Sequence, residues 1–304
     1  MSKVLIVGGT GPLGRLSVNG LTSAGLNVRC LVRPGRESEV TQGFVASGVE
    51  LAHGDLKDPP SLLAACRGID VVVNMASATL SQTAGDTIET VDHLGGLNLV
   101  DAAESASVRR FVFISFAGVP FDFALGAAKE GVCQRLKGAE SMTHAVLKSA
   151  PFMEAWLPLL APAQADQPAV FFGSGDAKVS WITRGDVAQA VVAAAQGTTT
   201  EPAPISLGGP EELTQREVFE IFQAHGARQA AQYFVDREAI ERELVGAQQK
   251  ASPLEEAFAI FKLALASGIA VSNTDRANAL LPSHLTTVRE FVVRYLEATP
   301  SARA

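Results

Sequence analysis

The apolar run Val4–Val7 passes directly into Gly8-Gly9-Thr10-Gly11-Pro12-Leu13-Gly14, and a helical pattern, Pro12–Ala24, opens inside those glycines. No other feature of the chain restricts its fold as much. Each glycine has a separate physical reason. Gly8 permits a tight turn, Gly11 lets backbone approach a bulky anion, and Gly14 lets the helix lie close against the strand. A pyrophosphate placed there would rest on free amides at the positive end of the helix. The unit predicts a dinucleotide-binding strand, loop and helix, with Gly8, Thr10, Gly11, Pro12, Leu13 and Gly14 as its contacts.

The same alternation continues. Apolar runs at Val28–Val32, Val49–Ala52, Asp70–Asn74, Phe111–Ser115 and His144–Lys148 are separated by helical patterns at Ser38–Ser47, Pro60–Cys66, Thr87–Ala106 and Ala127–Lys137. Uninterrupted apolar runs suit strands covered on both faces, and strand–helix alternation calls for right-handed crossovers. The expected fold is α/β, a doubly wound parallel sheet with a smaller C-terminal α/β lobe. Pro151, Pro158, Pro162 and Pro168 mark a change of texture, so residues 1–150 read as the nucleotide-binding core and 151–304 as a substrate lobe partly interleaved with it. That lobe shows strands at Ala169–Gly173, Val179–Ile182 and Ile205–Leu207 and helices at Asp186–Ala195, Leu213–His225, Arg237–Val245, Pro253–Ala266 and Thr286–Ala298. Thr214 and Glu217 have the spacing of a capping box.

Composition excludes several classes. Of 304 residues 47% are hydrophobic and 19% charged, enough for a sizeable core and too apolar for disorder. The net charge is −7 and no Lys/Arg run exceeds Arg109-Arg110, which argues against nucleic acid as a partner. The apolar start is too short for a signal peptide, and Ala257–Val271 is broken by Lys262, so no membrane span is expected. Three cysteines without CxxC spacing, and five histidines without ligand spacing, predict no disulfide framework, no metal and a reducing cytoplasm. Oligomeric state is left open.

An acid about 20 residues past the loop would bind a ribose 2′-hydroxyl. Arg33 stands there instead, with Arg36 three residues on. Arginine attracts a 2′-phosphate and can pair with it bidentately, so NADP(H) is expected over NAD(H).

The spacing Gly8-x-x-Gly11-x-x-Gly14 resembles the extended and atypical branches of the short-chain dehydrogenase/reductase superfamily. Val28–Arg33, Gly54-Asp55-Leu56, Asn74-Met75-Ala76, Val179–Ile182 and Asp186-Val187-Ala188 continue the likeness, which is greatest to NmrA-like proteins. The resemblance implies a Rossmann core, cofactor contacts from Asp55, Leu56, Met75 and Ala76, and a functional lysine, Lys129, beside the nicotinamide ribose. The superfamily's usual tyrosine, four residues before that lysine, is replaced by Leu125, and its second serine by Phe116 after Ser115. Ser115 reads as a strand-end residue, and His93 is the one histidine worth testing as an acid.

Open α/β folds bind ligands at the carboxyl edge of the sheet. Phe116, Val119, Phe121, Phe152, Met153 and Trp156 fall near that edge, joined by Met75, Ser77 and Phe123. They predict a flat, apolar or aromatic small-molecule substrate. Two functions compete: an NADPH-dependent reductase acting on a quinone or enone without the tyrosine, with Lys129 as its catalytic residue, or a non-enzymatic NAD(P)-binding redox sensor or assembly protein. One scaffold supports both.

Overall fold

The computed structural model describes residues 2–36, 38–81, 83–119, 122–164, 166–198 and 203–303. Along the first half the elements are β1 (Lys3–Val7), α1 (Pro12–Ser23), β2 (Asn27–Val32), α2 (Glu39–Ala46), β3 (Glu50–His53), α3 (Pro59–Cys66), β4 (Val71–Asn74), α4 (Leu94–Ser105), β5 (Arg110–Phe116), α5 (Ala124–Lys137) and β6 (Thr143–Ser149). The second half adds α6 (Met153–Trp156), β7 (Ala169–Phe172), β8 (Lys178–Ser180), α7 (Arg184–Ala195), β9 (Ile205–Leu207), β10 (Glu212–Thr214), α8 (Gln215–Ala224), β11 (Gln232–Val235), α9 (Arg237–Gln249), α10 (Pro253–Ser267), α11 (Asp275–Leu280) and α12 (Val288–Ala298).

Seven strands form one parallel sheet in the order β3-β2-β1-β4-β5-β6-β9. The run Val4–Val7 is apolar throughout because both faces of β1 are covered. Val4 and Ile6 join the core with Val18 and Leu21 of α1 and Val191 of α7. Leu5 and Val7 point the other way, toward Leu62 of α3, Leu99 of α4 and Val132 of α5. This is the doubly wound Rossmann arrangement, with helices on both faces.

Two elements of the second half complete the first. β9 becomes the seventh strand, pairing Leu147 with Ile205 and Ser149 with Leu207, and α7 packs against α1. Two further two-stranded pairs, β8 with β10 and β7 with β11, build the lobe. A third apolar cluster, Ile88, Phe123, Leu125, Ala128, Ala257 and Ile260, ties α10 to α5.

Several boundaries differ from expectation. The single helix expected over Thr87–Ala106 is two pieces, a wide π turn at Ile88–His93 followed by α4. Its small residues allow close approach: a Cβ on Gly95 would sit 2.8 Å from the Leu56 Cβ, and one on Gly96 2.5 Å from a Val132 methyl. Leu213–His225 begins as a strand, because Glu212–Thr214 pairs with β8, and the helix starts only after the Thr214 cap. In that cap Glu217 N donates to Thr214 Oγ1 (3.1 Å) and Thr214 N to Glu217 Oε2 (2.8 Å). The expected strand Val179–Ile182 is Lys178–Ser180, and β11 and α11 were not foreseen. Among the described residues no helix is long and apolar enough to cross a membrane.

Candidate functional site

At the end of β1 the backbone turns through Gly8, whose φ of +87° is the left-handed region. A Cβ on Gly8 would lie 2.8 Å from the amide of Ala76, and one on Gly14 2.1 Å from the Gly8 carbonyl oxygen. Neither position admits a side chain. Gly11 differs. It caps α1 in extended conformation (φ −72°), and a Cβ there would meet only the Gly8 oxygen, at 3.3 Å. The space above Gly11 is open cleft. The first turn of α1 carries no acidic residue, so its positive end faces that space uncompensated. This loop fits a dinucleotide pyrophosphate.

One cleft of about 670 Å³ runs from the loop along the carboxyl edge of the sheet. Gly8, Thr10, Gly11, Pro12, Leu13, Gly14, Arg33, Arg36, Asp55, Leu56, Met75, Ala76 and Lys129 all line it. The turn after β4 is held by Asn74, which is buried and accepts from Ala76 N at 3.1 Å, and by Met75 N donating to Val7 O at 3.0 Å. The turn after β3 is held by Asn98, whose Nδ2 donates to Leu56 O at 3.1 Å.

Arg33 and Arg36 reach the cleft already engaged. Arg33 is ion-paired to Asp86, and Arg36 Nη2 donates to Thr83 Oγ1 at 3.1 Å. Asp86, which was not foreseen, also pairs with Lys57 and accepts from Ser81 Oγ. Burial alone would raise its carboxyl, but Lys57, Ser81 and Arg33 hold it below the usual range.

Lys129 rises from α5 into the middle of the cleft. Its side chain is 8% exposed, its Nζ lies 3.0 Å from Asp92 Oδ1, and it donates to Ala76 O at 3.3 Å. The Asp92 side chain is fully enclosed, and its Oδ2 accepts from Ala78 N at 2.9 Å. Asp92 is a second residue that sequence reasoning missed. A signal was available: Ile88, Asp92, Gly95, Leu99 and Ala103 form a buried helical stripe, in which one acid is out of place.

The far end of the cleft is apolar. Phe116, Val119, Phe152 and Trp156 line it. Phe121 lies outside the described residues. Met153 is a correction: as the first residue of α6 it is fully buried in the main core, with its backbone N donating a hydrogen bond to Ile182 O (2.9 Å). Phe123 is likewise core, packed behind Phe116 with ring centroids 5.6 Å apart and planes tilted by 35°. The opposite wall comes from α10, unforeseen as a wall, through Ala257, Phe258, Phe261 and Leu265. Phe261 meets Phe116 edge-on at 5.3 Å. Arg184 adds a cation 5.6 Å from the Phe152 ring.

Leu125 lines the cleft four residues before Lys129. Tyr233 is exposed on β11, and the Tyr295 hydroxyl donates to Ala161 O at 3.3 Å. Neither tyrosine lines the cleft. Ser115 does line it, and its carbonyl accepts from Ser149 Oγ at 3.5 Å. His93 is a second correction. The π turn rotates its ring toward Glu89 (3.1 Å) and the surface of α5 at Gly131, away from the cleft. The three cysteines are buried and free, with burial pushing the Cys30 and Cys66 thiols up to about 12. Among the described residues no cluster could hold a metal ion.

A doubly wound sheet, a glycine loop at its first crossover and a buried lysine over the carboxyl edge define a Rossmann-type α/β fold with a candidate dinucleotide site. The NmrA-like family model matches residues 1–121 of this chain. Isoflavone reductase homolog IRL of Zea mays is 27% identical across 97% of this chain and 98% of its own length. Photosystem II assembly factor Ycf39 of Trieres chinensis is 28% identical across 72% of this chain and 67% of its own. Two solved structures share the fold over 96% of this chain and 99% of theirs: Citrobacter sp. triphenylmethane reductase complexed with NADP(H), with a TM-score of 0.75 and 20% identity, and Escherichia coli NADPH-dependent quinone oxidoreductase complexed with NADPH, with a TM-score of 0.75 and 19% identity.

Proposed function

We propose that this protein is an NADPH-dependent reductase that passes hydride to an apolar or aromatic acceptor, such as a quinone or an enone, without a catalytic tyrosine. The observation that carries this reading is one continuous cleft. It joins the glycine loop to a wall of Phe116, Phe152, Trp156 and Phe261, with Lys129 between them and Leu125, not a tyrosine, four residues before it. Arg33 and Arg36 at the end of β2 favour a 2′-phosphate over a bare ribose, and the NADP(H) and NADPH named in the two structural relatives support the same choice. Residues 1–150 would hold the dinucleotide. Residues 151–304 would supply much of the acceptor wall, with β9 and α7 built back into the core.

Bound NADPH would supply the hydride. The free amides of α1 would hold the pyrophosphate, and Arg33 and Arg36 the 2′-phosphate. Lys129, fixed by Asp92 and Ala76 O, would place a positive charge beside the reacting edge and stabilise negative charge developing on the acceptor. No tyrosine, histidine or cysteine among the described residues lines the cleft, so proton transfer in step with hydride transfer has no such donor. Quinones and polarised enones give anions stable enough to take a proton from water. Simple ketones do not. The free thiols fit a reducing cytoplasm.

The test is NADPH oxidation with a benzoquinone, an enone and cyclohexanone, for wild type and Lys129→Ala. The expected result is turnover of the first two, near-background rates with the ketone, and a loss in Lys129→Ala. Brisk ketone reduction would refute the reading. The likeness to Ycf39, an assembly factor by name, favours a second reading in which the cofactor is bound but not consumed. Tight NADPH binding with no turnover of any acceptor would select it.

A further inference from the structure

Residues 83–87 meet each cation expected at the 2′-phosphate end of the cleft. Asp86 is ion-paired to Arg33 and to Lys57, and Thr83 accepts from Arg36. The Asp86 side chain is 4% exposed, whereas Arg33 is 37% exposed and opens onto the cleft. The loop has fixed points on either side of the acid. Gly85 takes a left-handed φ of +82°, and Thr87 caps the π turn by accepting from Thr90 N at 3.0 Å. Ser81 Oγ adds a donor to the same carboxylate. A carboxylate held by a guanidinium, an ammonium and a hydroxyl occupies the kind of donor set that selects a phosphate.

We infer that Asp86 occupies the place on Arg33 that the cofactor's 2′-phosphate would take, and so sets how strongly the protein discriminates NADP(H) from NAD(H). The inference rests on the reading of Arg33 given above. A 2′-phosphate reaching Arg33 either displaces Asp86 or sits beside it. Displacement forfeits two ion pairs already made. Cohabitation sets two anions on one guanidinium, and like charges at that range repel. Both routes reduce what the phosphate gains from Arg33. An adenosine without a 2′-phosphate meets neither cost. Removing the charge at residue 86 frees Arg33 and Lys57 together for the phosphate.

The experiment is calorimetric titration of 2′,5′-ADP and ADP into the full chain, as wild type, Asp86→Asn, Asp86→Ser and Arg33→Ala. Asparagine keeps the shape of the acid and its bond from Ser81. The expected result is that the 2′,5′-ADP to ADP affinity ratio rises at least fivefold in both Asp86 variants while ADP affinity stays within twofold. Arg33→Ala should lower the ratio. If Arg33→Ala lowers the ratio but the Asp86 variants leave it unchanged or reduce it, Asp86 merely orients Arg33. The inference then fails while the Arg33 reading stands. If Arg33→Ala leaves the wild-type ratio unchanged, the Arg33 reading fails and takes the inference with it. Loss of ADP binding in both Asp86 variants would also overturn it, since the acid would then be part of the nucleotide seat itself.

Discussion

Replacing Asp92 by asparagine should expose how much the fold depends on the Lys129–Asp92 pair. The Asp92 side chain is fully enclosed and that of Lys129 is 8% exposed, so water replaces the lost partner poorly. Asparagine retains an oxygen for Ala78 N, but it leaves the ammonium facing a neutral amide and the Ala76 carbonyl. Breaking a buried pair by removing one partner costs about 3–5 kcal/mol. For 304 residues the unfolding entropy is roughly 0.64 kcal/mol/K, so the melting midpoint should fall by about 5–8 °C. Lys129→Met leaves a buried carboxylate and should cost a similar amount. The double variant contains neither charge and should recover most of the loss, so the two single losses should be far from additive. Calorimetric unfolding of the four proteins measures this. A midpoint within about 1 °C of wild type for Asp92→Asn, or strictly additive single losses, would refute the argument. The double variant, folded but without the ammonium, would also separate the lysine's chemical role from its structural one, because its NADPH oxidation should be low at normal stability.

Two further outcomes follow from the geometry. Gly11→Val should abolish binding of NADPH and NADH by filling the pyrophosphate space while costing about 1 kcal/mol of stability through the weaker cap. Gly14→Ala should destabilise the fold by roughly 1–3 kcal/mol, because its methyl would sit 2.1 Å from the Gly8 oxygen. Titration calorimetry and thermal melts distinguish the two, and an unaltered melt for Gly14→Ala would contradict the packing argument. Glu154 supplies a pH test. Burial raises its carboxyl above the usual 4.5, even though Arg184 N donates to it at 3.0 Å. The folded state therefore prefers the protonated acid, and its contribution to stability is lost as pH rises from 4.5 through the folded value. Glu154→Gln should melt higher than wild type near neutral pH, and that advantage should vanish at pH 4. A constant offset across the range would refute the assignment.

What could be read from the sequence alone was local. Lys3–Val7, the glycine loop and α1 are neighbours in the chain, and the constraints on them are constraints of backbone sterics and periodicity. The same holds for the fully apolar strands, whose composition states that both faces are covered, and for Arg33 and Arg36, which take their place from the end of β2. Lys129 and the apolar run around Phe116 could be placed by resemblance and by sheet edge. The partners of these residues could not. Asp86 reaches Arg33 across 53 residues, Asp92 reaches Lys129 from another helix, and Phe261 closes the cleft from α10. The same limit decided the residues that were misplaced. Met153 and Trp156 lie on one short turn, and only tertiary packing sets the first in the core and the second in the cleft. His93 was carried away from the cleft by a π turn that no periodicity announces. A side chain's local conformation depends on its neighbours in sequence, whereas its ion-pair partner and the cavity it faces depend on which distant surfaces the core brings together. That choice is made by the packing of the whole chain.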